Sequence, residues 1–167
     1  SYPTTSPTVT KCSTDNYAIR PNSLSFTVTD GDWETAGTTR TLDNVATPGG
    51  TTHKAGRPFT ITATARNGAG TPAITTNYAG APEPEIASHI IPTSCLNGTA
   101  CTLAGGGTFT DGTANDGIVT STTASYAEVG AFNMQLVDKT FAVVDAGDST
   151  TAERYITSGT VAVGRFV

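Results

Sequence analysis

The residues best placed to do chemistry are the carboxylates of Asp30-Gly31-Asp32-Trp33-Glu34, which fall at alternate positions as they do at the start of a calcium loop. Asp30, Asp32 and Glu34 would converge on one ion if the chain curled around it. The later bidentate glutamate and the fixed central glycine of an EF-hand loop are missing. The default reading is therefore a solvated turn at a strand end, and calcium is not expected as a structural requirement. The stretches Asp111 to Gly117 and Asp145 to Asp148 invite the same idea and read more simply as turns. Trp33, the sole tryptophan, has two readings. It caps a core beneath its loop, which is the leading expectation, or it contacts a ligand by stacking on a sugar ring.

His53 and His89 are the only histidines, and they fall in different loop regions without a flanking Cys, Asp-x-His or Glu-x-x-His pattern. Neither reads as a metal ligand or a general base. No Gly-x-Ser-x-Gly elbow singles out a nucleophile among the many hydroxyls. The chain is read as non-enzymatic, with no cofactor.

Cys95 and Cys101 bracket a flexible, turn-prone spacer that can bring their sulfurs together, so a local disulfide is expected. In the chain-entropy view a ring this small stabilises by about 2 kcal/mol, which tightens one loop and does not hold a domain. Such a bond also favours an exported, oxidising location. A metal site is the weaker reading, because no third Cys or His lies nearby. Cys12 is left over, with either a partner outside this chain or a buried, unbonded place. Asn97-Gly98-Thr99 fits the N-glycosylation sequon, which matters only in a eukaryotic host.

The elements that must position these residues follow from composition and period. The 167 residues suit one domain large enough to bury a core unaided. Charged residues are only 14%, Gly reaches 18 and Thr makes up about a fifth, a mix that favours strands and turns. Nine basic residues scattered from Lys11 to Arg165, at a net charge of −5, argue against nucleic acid and anionic membranes as partners. No apolar run is long enough to cross a bilayer, so direct membrane insertion is not expected. Ser1 to Pro7 lacks a signal-peptide pattern, and Thr160 to Val167 is strand-like to its last residue. Both features read as a mature or excised piece of a longer gene product.

Residues 1–11 read as an extended linker or arm because Pro3 and Pro7 deny helix, and ordered structure is expected over 12–167. Leu24, Phe26 and Val28 alternate with polar residues, as do Phe59, Ile61, Ala63 and Ala65, and each set predicts a half-buried strand. Between them Thr35 to Gly56 is a long loop, with or without a short hairpin, and is the first place to look for function. Another irregular stretch is expected from Pro82 to Gly107. Ile118 opens a strand reaching Tyr126. A corner at Gly130 then leads into alternating Phe132, Met134 and Leu136, with Phe141 to Val144 continuing that strand or forming a short neighbour. Gly130 can take the positive φ that a tight inter-sheet corner needs. Where an immunoglobulin corner carries a tyrosine hydroxyl this one has Phe132, so packing survives and the hydrogen bond does not. About seven strands with turn signals between them predict an all-β, immunoglobulin-like antiparallel β-sandwich.

Several phrases resemble, together and in order, the MshQ-type domain of bacterial surface proteins and mannose-sensitive haemagglutinin pilus biogenesis products. They are Asp15-Asn16-Tyr17-Ala18-Ile19-Arg20-Pro21, His53-Lys54-Ala55-Gly56-Arg57-Pro58-Phe59, Asn77-Tyr78-Ala79-Gly80, Tyr126-Ala127-Glu128-Val129-Gly130-Ala131-Phe132 and Val163-Gly164-Arg165-Phe166. The similarity runs from Cys12 to the C-terminus, and the chain corresponds to one segment of that domain. The resemblance implies Gram-negative export, a type IV pilus or cell-surface setting and no enzyme activity, and it brings no catalytic residues with it. The expected function is a structural or presenting module in adhesion or fibre architecture, its partners neighbouring domains or pilus subunits. The alternatives are a carbohydrate-binding module using Trp33 and the Thr35 to Gly56 loop, and a filament subunit whose Ser1 to Thr10 arm adds as a strand to a neighbour.

Overall fold

The computed structural model describes residues 20–46, 49–95, 101–114, 116–147 and 149–167. The arm over 1–11, Cys12 and the Asn97-Gly98-Thr99 sequon lie outside the described residues. Alternation of apolar and polar residues gives β1 (Ser23–Thr29) and β2 (Pro58–Arg66), as the sequence predicts, with Leu24, Phe26, Val28, Phe59, Ile61, Ala63 and Ala65 all buried. They are joined by β3 (Glu83–Ile91), β4 (Leu103–Ala104), β5 (Thr110–Asp111), β6 (Ile118–Tyr126), β7 (Gly130–Asp138), β8 (Ile156–Thr157) and β9 (Val161–Phe166).

The named strands all pair antiparallel and form two sheets. One has the order β1-β2-β6-β4, with β5 also on β6; the other has the order β3-β7-β8, with β9 also on β7. Their inner faces share one core, so the chain is a single mainly-β domain. β6 keeps its apolar side inward only by a register shift opposite Phe59 and Ile61, which lets Val119 and Ser121, then Ala124 and Tyr126, all point into the core.

The strands give the molecule two poles. Thr29, Pro58, Tyr126, Gly130 and Phe166 mark the upper one, and Ser23, Arg66, Ile118 and Asp138 the lower. Beneath the upper pole an aromatic plug fills the space between the sheets. Phe132 and Phe166 stack at 5.6 Å, and Tyr126 packs on them at 4.7 and 5.2 Å. Gly130 sits above this plug with φ +132°, the positive φ expected of the corner. A second constraint is added by the end of β3, whose Ile91 carbonyl oxygen would lie 1.9 Å from a Cβ on Gly130.

Two expectations are corrected. The stretch from Pro82 is not irregular: it opens with β3, a nine-residue edge strand. β3 has one strand neighbour among the described residues and no regular alternation of buried and exposed positions, so the period-two signal is absent. The segment from Phe141 to Val144 is not a strand either. β7 ends at Asp138, whose Oδ1 accepts from the amides of Thr140 (2.8 Å) and Phe141 (3.0 Å), and the chain turns into a 3-10 segment, Val143–Asp145. A short helix then follows, α1 (Thr151–Arg154), held by a reciprocal capping box between Thr150 and Glu153.

The open edges are guarded. Ser158 bridges to Leu24 beside β1, and bridges from Asp43 and His53 run along β9. Among the described residues nothing pairs beyond β3, and its first three residues are Glu83, Pro84 and Glu85, where charge and proline both disfavour addition of another strand.

Candidate functional site

At the upper pole β1 runs out into the loop that carries the alternate carboxylates. Gly31 and Asp32 both adopt positive φ, and a Cβ on Gly31 would approach Thr60 Oγ1 to 2.9 Å, so the turn is tight as well as left-handed. Asp30 is fully buried. Its Oδ1 accepts from the amides of Arg40 (2.9 Å) and Asp32 (3.3 Å), and its Oδ2 accepts from Arg40 Nε at 2.7 Å. Arg40 also donates to the Thr52 carbonyl at 3.2 Å. Burial pushes the Asp30 carboxyl up, but the amide and guanidinium hydrogen bonds and the charge of Arg40 outweigh it and hold the group below its ordinary value. Asp30 thus closes the base of the loop.

The three carboxylates of the calcium reading are not brought together. Asp32 Oδ1 accepts from the Thr39 hydroxyl, and Glu34 Oε1 pairs with Arg57 at 3.0 Å. Among the described residues no group of three or more His, Cys, Asp or Glu is arranged around a common point. The leading expectation for Trp33, a cap on the core, is overturned: the residue is 52% exposed. The left-handed turn at Gly31 and Asp32 immediately precedes the indole, whose Cδ1 would lie 3.7 Å from a Cβ on Gly31.

The described residues of the 35–56 segment are less free than a functional loop would be. Leu42 is buried and bonded to Val28, and His53 donates its amide to the Arg165 carbonyl at 2.8 Å. The His53 ring, 1% exposed, packs edge-on to Phe59 and Phe166. Its Nε2 faces the carbonyls of Arg57 (3.3 Å) and Pro58 (3.1 Å), so that nitrogen carries the proton, and Nδ1 is buried without a partner among the described residues. His53 is a core residue that ties this segment to β9. Its solitary place in a polar stretch gave no periodic signal of that role. His89 lies on β3 and not in a loop.

At the lower pole Tyr78 is completely buried. Its hydroxyl donates to Asp138 Oδ2 at 2.8 Å, and burial, helped by that neighbouring carboxylate, pushes the phenol far above its ordinary value. A buried tyrosine hydroxyl bond is therefore present, although not at the Gly130 corner. Lys139 lies between Glu83 (3.0 Å) and Glu85 (2.6 Å), and these contacts raise its pKa.

The Cys95–Cys101 disulfide is present as expected. It borders an open cleft of about 500 Å³ between β3 and the 101–103 segment, lined by Ile86, Ser88, His89 and Leu103 among others. The polar groups nearby serve the sheet: Ser88 Oγ accepts from Asn133 and Glu85 accepts from Gln135 and Lys139. Among the described residues no nucleophile, base and orienting group meet there.

Fold and site together define a two-sheet antiparallel β domain whose upper pole presents one anchored tryptophan among polar groups. Comparisons with protein-family models, curated proteins and solved structures find no match.

Proposed function

We propose that this chain is a non-enzymatic, immunoglobulin-like module of an exported, pilus- or cell-surface-associated bacterial protein, and that it spaces and presents the domains joined to it. The observation that carries the reading is the path of the chain: Arg20 lies at the lower pole beside Tyr155, and Val167 lies at the upper pole beside His53 and Ala55. Nine-residue strands separate the poles by about 30 Å. Such a module set in a longer polypeptide separates its neighbours by its own length.

Other features support the same reading. The crossing from β6 in one sheet to β7 in the other at Gly130 is the kind of corner an immunoglobulin-like sandwich uses. The disulfide fits an oxidising location. No helix among the described residues is long and apolar enough to cross a membrane. The ordered phrases that resemble the MshQ-type domain point to the surface of a Gram-negative cell. The buried polar side chains of Asp30, Asp138 and His53 all anchor loops or turns. The guarded edge of β3 does not favour filament growth by strand addition from the Ser1 to Thr10 arm.

The test is geometric. In the surface protein that carries the segment, the height of a fluorescent tag fused beyond Val167 is read by energy transfer to a membrane dye. Deleting residues 20–167 should lower the tag by about 3 nm, and an unrelated sandwich of equal length should restore it. An unchanged height on deletion contradicts the spacing role.

A further inference from the structure

We infer that the upper pole carries a glycan-binding site centred on Trp33, with a hexopyranose whose axial C–H groups lie on one face as its ligand. This goes beyond the spacing role and does not depend on it. Trp33 is the sole tryptophan and is 52% exposed, whereas Phe26, Phe59, Tyr78, Tyr126, Phe132 and Phe166 are buried in the core. An indole left half in water on a rigid loop forfeits the benefit of burial unless something covers it.

The backbone that holds the ring is fixed. The Trp33 amide donates to the Asp30 carbonyl at 3.3 Å, and its own carbonyl accepts from Arg57 at 3.2 Å. The loop base is closed by Asp30 and Arg40. Little further ordering is therefore needed to present the ring, which removes one main cost of binding.

The surroundings select the class of ligand. An aromatic face is electron-rich and attracts the slightly positive C–H face of a sugar, while equatorial hydroxyls project outward in the ring plane. Around Trp33 stand groups suited to such hydroxyls. Glu34 and Arg57 are held in an ion pair, Asp32 is tied to Thr39, and no bond from a described residue occupies Oδ2 of Asp32 or Oε2 of Glu34. Hydrogen bonds to ionised groups are the stronger kind.

A protein partner fits less well, because binding hot spots sit among apolar neighbours that exclude water. The residues that follow, Thr35, Ala36, Gly37, Thr38 and Thr39, are small and exposed. The exposed Val129 belongs to the turn between β6 and β7, and β6 is two strands from β1.

The sole tryptophan is its own reporter. Titration of the full chain with cellohexaose or chitohexaose should give a saturable blue shift of the indole emission, and gels containing either polysaccharide in soluble form should retard the protein. Trp33→Ala should keep the wild-type melting temperature and lose about tenfold or more in affinity by gel retardation, while Trp33→Tyr should retain part of it. Silence of the emission with both saccharides together with unretarded migration overturns the proposal. So does retardation that survives Trp33→Ala, and so does capture of a protein through Trp33 by a chain that binds neither saccharide.

Discussion

Replacing Gly130 by alanine should cost about 3–5 kcal/mol or prevent folding altogether, the largest effect expected of any single methyl group in this chain. The added Cβ would sit 1.9 Å from the Ile91 carbonyl oxygen and 3.3 Å from Pro92 Cδ, at φ +132°. The obstacle is backbone, so no side-chain rotation relieves it. Either β3 withdraws from β7 at its upper end or the corner opens, and both movements disturb the plug formed by Tyr126, Phe132 and Phe166. Gly37 provides the control. It also has a positive φ, +76°, but nothing lies within 4 Å of its added Cβ, so Gly37→Ala should cost only about 1 kcal/mol of conformational strain. Denaturant unfolding of the two variants separates the contributions. Equal losses would show that close approach of the β3 end is not what Gly130 provides.

The second large effect is expected at Asp30. Asp30→Asn keeps an oxygen for the amides of Arg40 and Asp32 but turns an NH2 group toward Arg40 Nε, so two donors face each other where a 2.7 Å ion pair stood. Breaking a fully buried pair costs about 3–5 kcal/mol, and since Arg40 is a third exposed, about 2–3 kcal/mol is expected here. The pH dependence gives a separate check. The folded-state pKa of Asp30 is held below its ordinary 3.8, so its stabilisation is complete above that value and is lost as pH falls through the lower, folded one. Wild-type stability should therefore decline on acidification below about pH 4, more steeply than that of Asp30→Asn. Parallel declines in the two proteins would mean that the Asp30 carboxylate is not held as described.

What could be read from the sequence follows from how each element is buried. β1, β2, β6 and β7 each turn one face to the core, so Leu24, Phe26 and Val28, or Phe132, Met134 and Leu136, alternate with polar neighbours and reveal their strands. β3 lies at an edge, with Pro84 inside it and register shifts near Ser88 and Ile91, and its sequence carries no such alternation. The short helix could have been found, because Thr150 and Glu153 have the spacing of a capping box. The partners of Asp30, Tyr78 and His53 could not. Arg40, Asp138 and Arg165 are brought to them by sheet pairing and loop closure, which leave no local pattern. Trp33 was visible as a residue, but which way it faces after the left-handed turn at Gly31 and Asp32 leaves no local pattern.

The spacing role is tested most directly by pulling the domain through handles attached at Arg20 and Val167 in a single-molecule experiment. Because Arg20 and Val167 stand at opposite poles, load runs along the strands and must shear β1 from β2 and β9 from β7. The result expected is one cooperative rupture that releases about 50 nm of chain. Smooth extension at low force, or a series of small steps, would contradict a module built to hold its neighbours apart.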